Sequence, residues 1–136
     1  MVKPRAPIRE EILGAVRAIL CEMFNIDEDE VAPSTRLVRD LGAESIHFLD
    51  IIFRLERDLQ IKIPRGELFP EPIVQGNPEY VQDGKVTKRG LQEMRAKMPF
   101  ADLTAFERNP DVSALNDLFT VELLCRYLER KCPELY

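Results

Sequence analysis

One serine stands where a glycine-containing loop gives way to an amphipathic helix. The stretch runs from Asp40 to Ile51 and contains Gly42 and Ser45. Glycine adopts backbone angles that other residues resist, so the chain can turn sharply just before the serine. Ser45 is predicted to be the N-cap of the helix, and a helix N-terminus favours a negatively charged group such as a phosphate. Taken alone, such a serine is expected to be an ordinary helix cap, and its position also suits attachment of a phosphate-bearing group.

Catalytic chemistry is poorly supported at this serine. A hydrolytic serine needs a base and a third group that orients the base. The single histidine, His47, lies two positions after Ser45 and is interpreted as a solvated helix residue. The three cysteines, Cys21, Cys125 and Cys132, fit no common zinc spacing. Cys21 and Cys125 are interpreted as reduced thiols in or near a core, and Cys132, near the C-terminus, is expected to be exposed. The sequence therefore predicts no catalytic residue and no metal site.

A helix must position the serine, and its periodicity is visible after residue 45. Apolar side chains recur mostly at steps of three and four residues, which is the helical period. Those expected to face the core are Ile46, Leu49, Ile52, Phe53, Leu55, Leu59 and Ile63, with Phe48 and Ile51 beside them. Those expected to face water are His47, Asp50, Arg54, Arg57 and Asp58. Pro64 cannot easily continue a helix, so the helix is expected to stop before it.

This stretch resembles the acyl carrier protein family, whose signature is Asp-Ser-Leu after a Leu-Gly-Ala loop. The likeness is carried by Asp-Leu-Gly-Ala-Glu-Ser-Ile at 40–46, then Leu49-Asp50-Ile51, Leu55-Glu56, Leu59 and Ile63-Pro64. Glu-Ser-Ile here replaces Asp-Ser-Leu, a conservative change in charge and bulk. The resemblance implies that Ser45 carries a covalent 4′-phosphopantetheine arm derived from coenzyme A. The thiol of that arm would hold an acyl group as a thioester.

The resemblance also implies a function and partners. The protein would not be an enzyme; it would tether acyl intermediates in fatty-acid, lipid or polyketide-type biosynthesis. Its partners would be a phosphopantetheinyl transferase and acyl-transfer or synthase enzymes. The family docks through acidic residues along this helix, and Glu44, Asp50 and Glu56 match such positions. The residues that depart from an acidic surface are His47, Arg54 and Arg57, which favours a dedicated set of partner enzymes.

Two other functions remain open at this point. One is an unmodified helical protein-interaction module that keeps the carrier scaffold, in which Ser45→Ala would be silent. The other is a peptidyl carrier for aminoacyl groups, since both kinds of carrier use the same arm.

Composition narrows the class of protein. The chain has 136 residues, a formal net charge of −5 and a pI near 5.0. That balance argues against a nucleic-acid binder, which normally shows a basic surface. No apolar run is long enough to span a bilayer, and the first residues do not resemble a signal peptide. We expect a cytoplasmic monomer formed by a single domain over residues 1–136.

The fold class predicted is mainly α: an acyl-carrier-like four-helix bundle with an inserted β-hairpin and an extra helix. The first helix is expected from Pro7 to about Phe24, with an apolar face that comprises Ile8, Ile12, Val16, Ile19, Leu20 and Met23. An acidic loop follows, and its anchors to the core are expected to be Ile26, Val31 and Leu37. The resemblance breaks after Pro64 and returns at a Thr-Val step at 120–121, typical of the family's last helix.

The intervening insertion, at about 66–113, has signals of its own. Asp83-Gly84 favours a tight turn in a hairpin over 80–87, and Thr87 could cap a helix over 88–97. From local caps alone, Ser113 or Asn116-Asp117 would start the last helix. We hypothesise that the insertion either caps the acyl cavity of the bundle or provides a docking platform for partners.

Overall fold

A computed structural model describes residues 9–64, 67–68 and 76–131 of the chain. Within these residues the fold is mainly helical, with one two-stranded antiparallel sheet. The helices are α1 (Arg9–Phe24), α2 (Ser45–Leu59), α3 (Lys88–Lys97), α4 (Thr104–Arg108), α5 (Val112–Leu115) and α6 (Val121–Lys131), with 3-10 turns at Glu28–Glu30 and Asn116–Leu118. The strands are β1 (Val81–Gln82) and β2 (Lys85–Val86). The prediction of a mainly α fold with an inserted hairpin is confirmed.

Helix α1 lies at the centre of the body and packs against both α2 and α6. Its predicted apolar face is confirmed, since Ile12, Val16, Ile19 and Leu20 are all buried. Side chains at steps of three and four residues form one stripe, and burying that stripe stabilises the helix. At its start, the guanidinium of Arg9 pairs with two carboxylates of α6; these are Glu122 and Glu129.

The loop between α1 and α2 is fastened to the start of α6. Leu37 donates its N–H to the carbonyl of Phe119 at 2.8 Å, and Val121 donates to the carbonyl of Thr35 at 3.0 Å. Of the three predicted anchors of this loop, Val31 and Leu37 are buried, at 2% and 0% exposed, and Ile26 is half-buried against the core. The segment that leads to the serine is therefore held by backbone hydrogen bonds as well as by buried side chains.

The hairpin and α3 form the compact unit that the turn residues predicted. Asp83 and Gly84 have φ of 53° and 75°, the left-handed angles that a type I′ turn requires. Thr87 is the N-cap of α3, and its hydroxyl accepts the N–H of Gly90 at 3.1 Å. A two-stranded hairpin is marginal alone. Here it is supported by the N–H of Val86, which donates to the carbonyl of Pro110 at 2.8 Å.

The insertion contributes to the same hydrophobic core as the bundle. Its buried apolar side chains are Leu68, Val86, Leu91, Met94, Met98, Phe100, Leu103 and Phe106. The ring of Phe100 contacts the ring of Tyr127 on α6 with centroids 5.2 Å apart. These side chains therefore bury their apolar surface by packing within the chain.

The start of the last helix differs from the local expectation. Neither Ser113 nor Asn116 begins it, because a short helix and a 3-10 turn occupy that stretch. Helix α6 begins at Val121, where the hydroxyl of Thr120 accepts the N–H of Leu123 at 3.1 Å. The Thr-Val step was the better signal because its threonine supplies the acceptor for the first helical turn. Most of 66–78, which the sequence suggested is an irregular loop, lies outside the described residues.

Candidate functional site

The loop before the serine makes a closed turn. Gly42 has a φ of 72°, a left-handed angle that favours glycine, and its N–H donates to the carbonyl of Val38 at 2.9 Å. The next residue, Ala43, is 6% exposed and donates its N–H to the carbonyl of Leu37 at 2.9 Å. The sharp turn predicted at Gly42 is thus present in the backbone, and α2 begins shortly after it.

The cap of α2 is one residue earlier than predicted. Glu44, with extended backbone angles, is the N-cap, and Ser45 is the first residue of the helix. The backbone position of Ser45 still lies at the positive end of a 15-residue helix. The interpretation of Ser45 as the capping residue is therefore wrong, which leaves its place at the helix N-terminus unchanged.

His47 is not the solvated residue that the sequence suggested. It is half-buried, and its ring lies against the ring of Phe24 at the end of α1, with centroids 4.9 Å apart. Its Nδ1 accepts the backbone N–H of Glu44 at 2.8 Å. The sequence did not indicate this contact. With Ser45 taken as the cap, the third helical position is Phe48, whereas with Glu44 as the cap it is His47. Glu or Gln is the usual residue at that position, so a histidine there gives no signal.

The apolar face of α2 is divided, contrary to the expectation that all of it faces the core. Ile51 and Leu55 are 1% and 0% exposed, whereas Ile46, Leu49 and Phe53 are 70%, 53% and 64% exposed. These last three, spaced three and four residues apart, form what we call the apolar strip. A helix presents more than one face at such steps, so periodicity alone could not decide which apolar residues meet the core. Large exposed hydrophobic side chains grouped on one face are typical of interaction sites.

The three carboxylates matched to docking positions have different surroundings. Glu44 is exposed. Asp50 accepts a hydrogen bond from Nε of Arg54 at 3.1 Å, and Arg54 also pairs with Glu22 of α1 at 3.2 Å. Glu56 accepts the backbone N–H of Ile63 at 2.9 Å, which closes the turn after α2. The charge of Asp50 is therefore partly offset by Arg54, whereas Glu56 keeps its charge although one of its oxygens accepts a backbone hydrogen bond.

The cysteines have surroundings that suit structural residues. Cys125 is 0% exposed, and burial raises the pKa of its thiol to about 11. Cys21 is half-buried, and burial raises its pKa as well. A thiol that stays protonated at neutral pH is a poor nucleophile. Cys132 lies outside the described residues.

Two further findings concern the described residues alone. No group of three or more His, Cys, Asp or Glu side chains there is placed to hold a metal ion. None of the helices there is both long and apolar enough to cross a bilayer.

Comparison with known proteins covers this same region. Residues 14–72 match the family model described as a phosphopantetheine attachment site. An acyl carrier protein of Thermotoga maritima is 33% identical over 60 residues, which span 44% of this chain and 74% of that relative. An acyl carrier protein of Helicobacter pylori is 31% identical over 71 residues, spanning 52% of this chain and 91% of the relative. The chain belongs to the acyl carrier protein family. The matched region contains α2 and the loop before it, and it ends before the hairpin.

Membership of the acyl carrier protein family implies a covalently attached 4′-phosphopantetheine. The geometry at the start of α2 fits such a group. A phosphate there would lie at the positive end of the helix. The residues on either side of Ser45, Glu44 and Ile46, are both exposed, so the backbone at this point lies at the surface. When bound, the group supplies a terminal thiol that holds a carried group as a thioester.

Proposed function

We propose that this chain carries acyl intermediates on a phosphopantetheine group attached to Ser45, for fatty-acid, lipid or polyketide-type biosynthesis. The observation that carries the proposal is the place of Ser45 as the first residue of α2, inside the matched region and directly after the turn at Gly42. Membership of a carrier family supports a protein that partner enzymes act on and that has no catalysis of its own.

We further propose that partner enzymes dock on α2. The apolar strip supports this, because three large exposed hydrophobic side chains follow Ser45 along one face of the helix. Glu44 would add a negative charge at the end nearest the attachment point. Asp50 and Glu56 would contribute as well, although each already accepts a hydrogen bond within the chain.

The single-domain organisation over residues 1–136 is part of the proposal. It is supported by the shared core, in which insertion residues such as Met94 and Phe106 pack together with α1 and α6.

The test of the function is the intact mass of the purified protein after incubation with coenzyme A, magnesium and a broad-specificity phosphopantetheinyl transferase. We expect the wild type to gain the mass of one phosphopantetheine and the Ser45→Ala variant to gain none. A Ser34→Ala variant is the matched control, since it removes an exposed serine elsewhere in the chain.

Two results would count against the proposal. A gain that persists in Ser45→Ala would place the attachment elsewhere. No gain with several transferases would favour an unmodified interaction module. If the wild type does gain the phosphopantetheine, loading this modified protein with acyl or aminoacyl groups by the respective ligases would distinguish an acyl carrier from a peptidyl carrier.

A further inference from the structure

His47 closes a small ring of hydrogen bonds around the attachment point. Its own N–H donates to the carbonyl of Glu44 at 2.9 Å, and its Nδ1 accepts the N–H of Glu44 at 2.8 Å. Ser45 lies in the chain between these two residues. Glu44, the residue before Ser45, is thus tied to the helix through both its N–H and its carbonyl group.

The imidazole also connects Glu44 to another helix. Its ring lies 4.9 Å from the ring of Phe24, centroid to centroid, and Phe24 is the last residue of α1. On the upstream side the loop is already held, since Ala43 is buried and donates its N–H to the carbonyl of Leu37. Without the imidazole, the first turn of α2 would lose the hydrogen bond to the N–H of Glu44 and the contact with Phe24.

The hydrogen bond defines the chemical state of the ring. A backbone N–H can only donate, so Nδ1 must be unprotonated and the neutral ring must carry its proton on Nε2. At the third helical position, Glu or Gln normally makes this contact to the N-cap N–H. Histidine performs the same task here and adds a flat surface that packs on Phe24.

We propose that His47 is a positioning residue for the modification of Ser45. Its imidazole holds the N–H of Glu44 beside α1 and α2, so that the backbone at Ser45 keeps one conformation for the transferase. This inference rests on the proposed function, because it takes Ser45 as the attachment point.

The first measurement uses the unmodified protein. Long-range proton–nitrogen spectra should show that the neutral ring of His47 has a bare Nδ1 and a protonated Nε2. Hydrogen exchange of the Glu44 amide should be about five- to tenfold faster in His47→Leu, which keeps apolar bulk but has no acceptor, as expected for the loss of one helix cap. His47→Gln, which restores an acceptor at the same position, should return the exchange rate towards that of the wild type.

The second measurement is kcat/KM for phosphopantetheine transfer to the three proteins, with their thermal stabilities recorded in parallel. We expect a several-fold loss in His47→Leu and recovery in His47→Gln. Unchanged Glu44 exchange in His47→Leu, or faster exchange with an unchanged kcat/KM, would overturn the positioning role. No mass gain in the wild type would overturn the proposed function together with this inference, whereas full mass gain in the wild type with an equal kcat/KM for His47→Leu would overturn this inference alone.

Discussion

At the residue scale, one hydrogen bond fastens the segment after α2 to the last helix. The hydroxyl of Tyr127 donates to Oε1 of Glu67 at 2.6 Å, and the ammonium of Lys131 lies 2.9 Å from the same carboxylate. The neighbouring Leu68 is 0% exposed. The chain therefore leaves α2 and returns to the core before the hairpin begins.

We expect Tyr127→Phe to lower the free energy of unfolding by roughly 1–2 kcal/mol, because it removes a hydrogen bond to a charged group. The ring and its contact with Phe100 are kept. Chemical denaturation with and without Glu67→Gln, in a double-mutant cycle, measures the coupling between the two side chains. Equal losses from Tyr127→Phe in both backgrounds would mean that the hydrogen bond contributes nothing.

Two glutamates should make the protein less stable in acid. Partial burial raises the pKa of Glu67, but the hydrogen bond from Tyr127 and the interactions with Lys131 outweigh that effect, and its pKa is lowered. Partial burial likewise raises the pKa of Glu122, and the hydrogen bonds from Arg9 and Arg126 outweigh it. A carboxyl whose pKa is lower in the folded chain binds its proton more readily when unfolded.

The stabilisation from these carboxyls is therefore fully present above the pKa of a glutamate in an unfolded chain, about 4.3, and is lost as the pH falls through the lower folded values. We expect the free energy of unfolding to decrease between about pH 5 and pH 3. The decrease should be smaller in a Glu67→Gln, Glu122→Gln double variant. An equally steep decrease in that variant would assign the acid sensitivity to other carboxyls.

At the element scale, α3 approaches the hairpin so closely that only glycine fits between them. A Cβ added at Gly90 would lie 2.5 Å from the carbonyl oxygen of Tyr80 and 2.6 Å from Cγ1 of Val86. Such contacts are far inside ordinary packing distances, and one of the two atoms belongs to the backbone. The hairpin and α3 therefore depend on this glycine for their present arrangement.

We expect Gly90→Ala to destabilise the protein by about 1–3 kcal/mol, the usual cost of overpacking. The matched control is Gly14→Ala on α1, where an added Cβ would meet nothing within 4 Å. There, alanine should stabilise the protein by up to about 1 kcal/mol, because it is the better helix former. Thermal unfolding of both variants checks this, and a loss of stability at both sites would contradict the steric explanation.

The apolar strip on α2 gives a prediction for binding that leaves the fold intact. Because Phe53 is 64% exposed, Phe53→Ala should change the free energy of unfolding little. If partners dock on this strip, the same change should lower kcat/KM for acyl transfer to the protein by about tenfold or more.

The dependence of the transfer rate on ionic strength distinguishes docking through apolar contacts from docking through charges. Asp50 and Arg54 already pair within the chain, so we expect transfer to depend weakly on ionic strength. Arg57→Ala, at an exposed residue paired with Asp58, should change the rate less than Phe53→Ala. A strong salt dependence with no effect of Phe53→Ala would assign docking to charges instead.

At the scale of the whole molecule, the insertion and the bundle share one core. The largest fully buried side chains include Met94 and Met98 of the insertion as well as Leu20 of α1 and Leu124 of α6. Among the described residues, the large hydrophobic side chains that are exposed all lie on α2. A docking platform on the insertion would therefore have to use polar contacts at the residues that the structure describes.

We expect the insertion and the bundle to unfold together. The amide of Leu91, which donates to the carbonyl of Thr87 at 2.8 Å, and the amide of Val16 in α1 should then exchange with the same free energy of opening. Native-state hydrogen exchange in increasing denaturant measures both amides. A clearly lower value for Leu91 would show that the insertion opens separately and would support a movable cap over a carried acyl chain.

The sequence by itself determined the local features of the protein. The turn at Asp83-Gly84, the cap at Thr87, the inner face of α1 and the loop anchors Val31 and Leu37 each depend on neighbouring residues, and all four appear as predicted. The family could also be predicted from the sequence around Ser45, because the loop, the serine and the helix that carry the resemblance are consecutive in the chain.

Only the tertiary structure decided which surfaces of these elements meet. The apolar residues of α2 share one period, but α1 covers Ile51 and Leu55 and leaves the strip of Ile46, Leu49 and Phe53 in contact with water. The contact of His47 with Phe24 joins two helices that are far apart in the chain, and the space at Gly90 depends on how a helix meets a hairpin. Periodicity describes one helix at a time, so it cannot determine contacts that arise only when a second element packs against it.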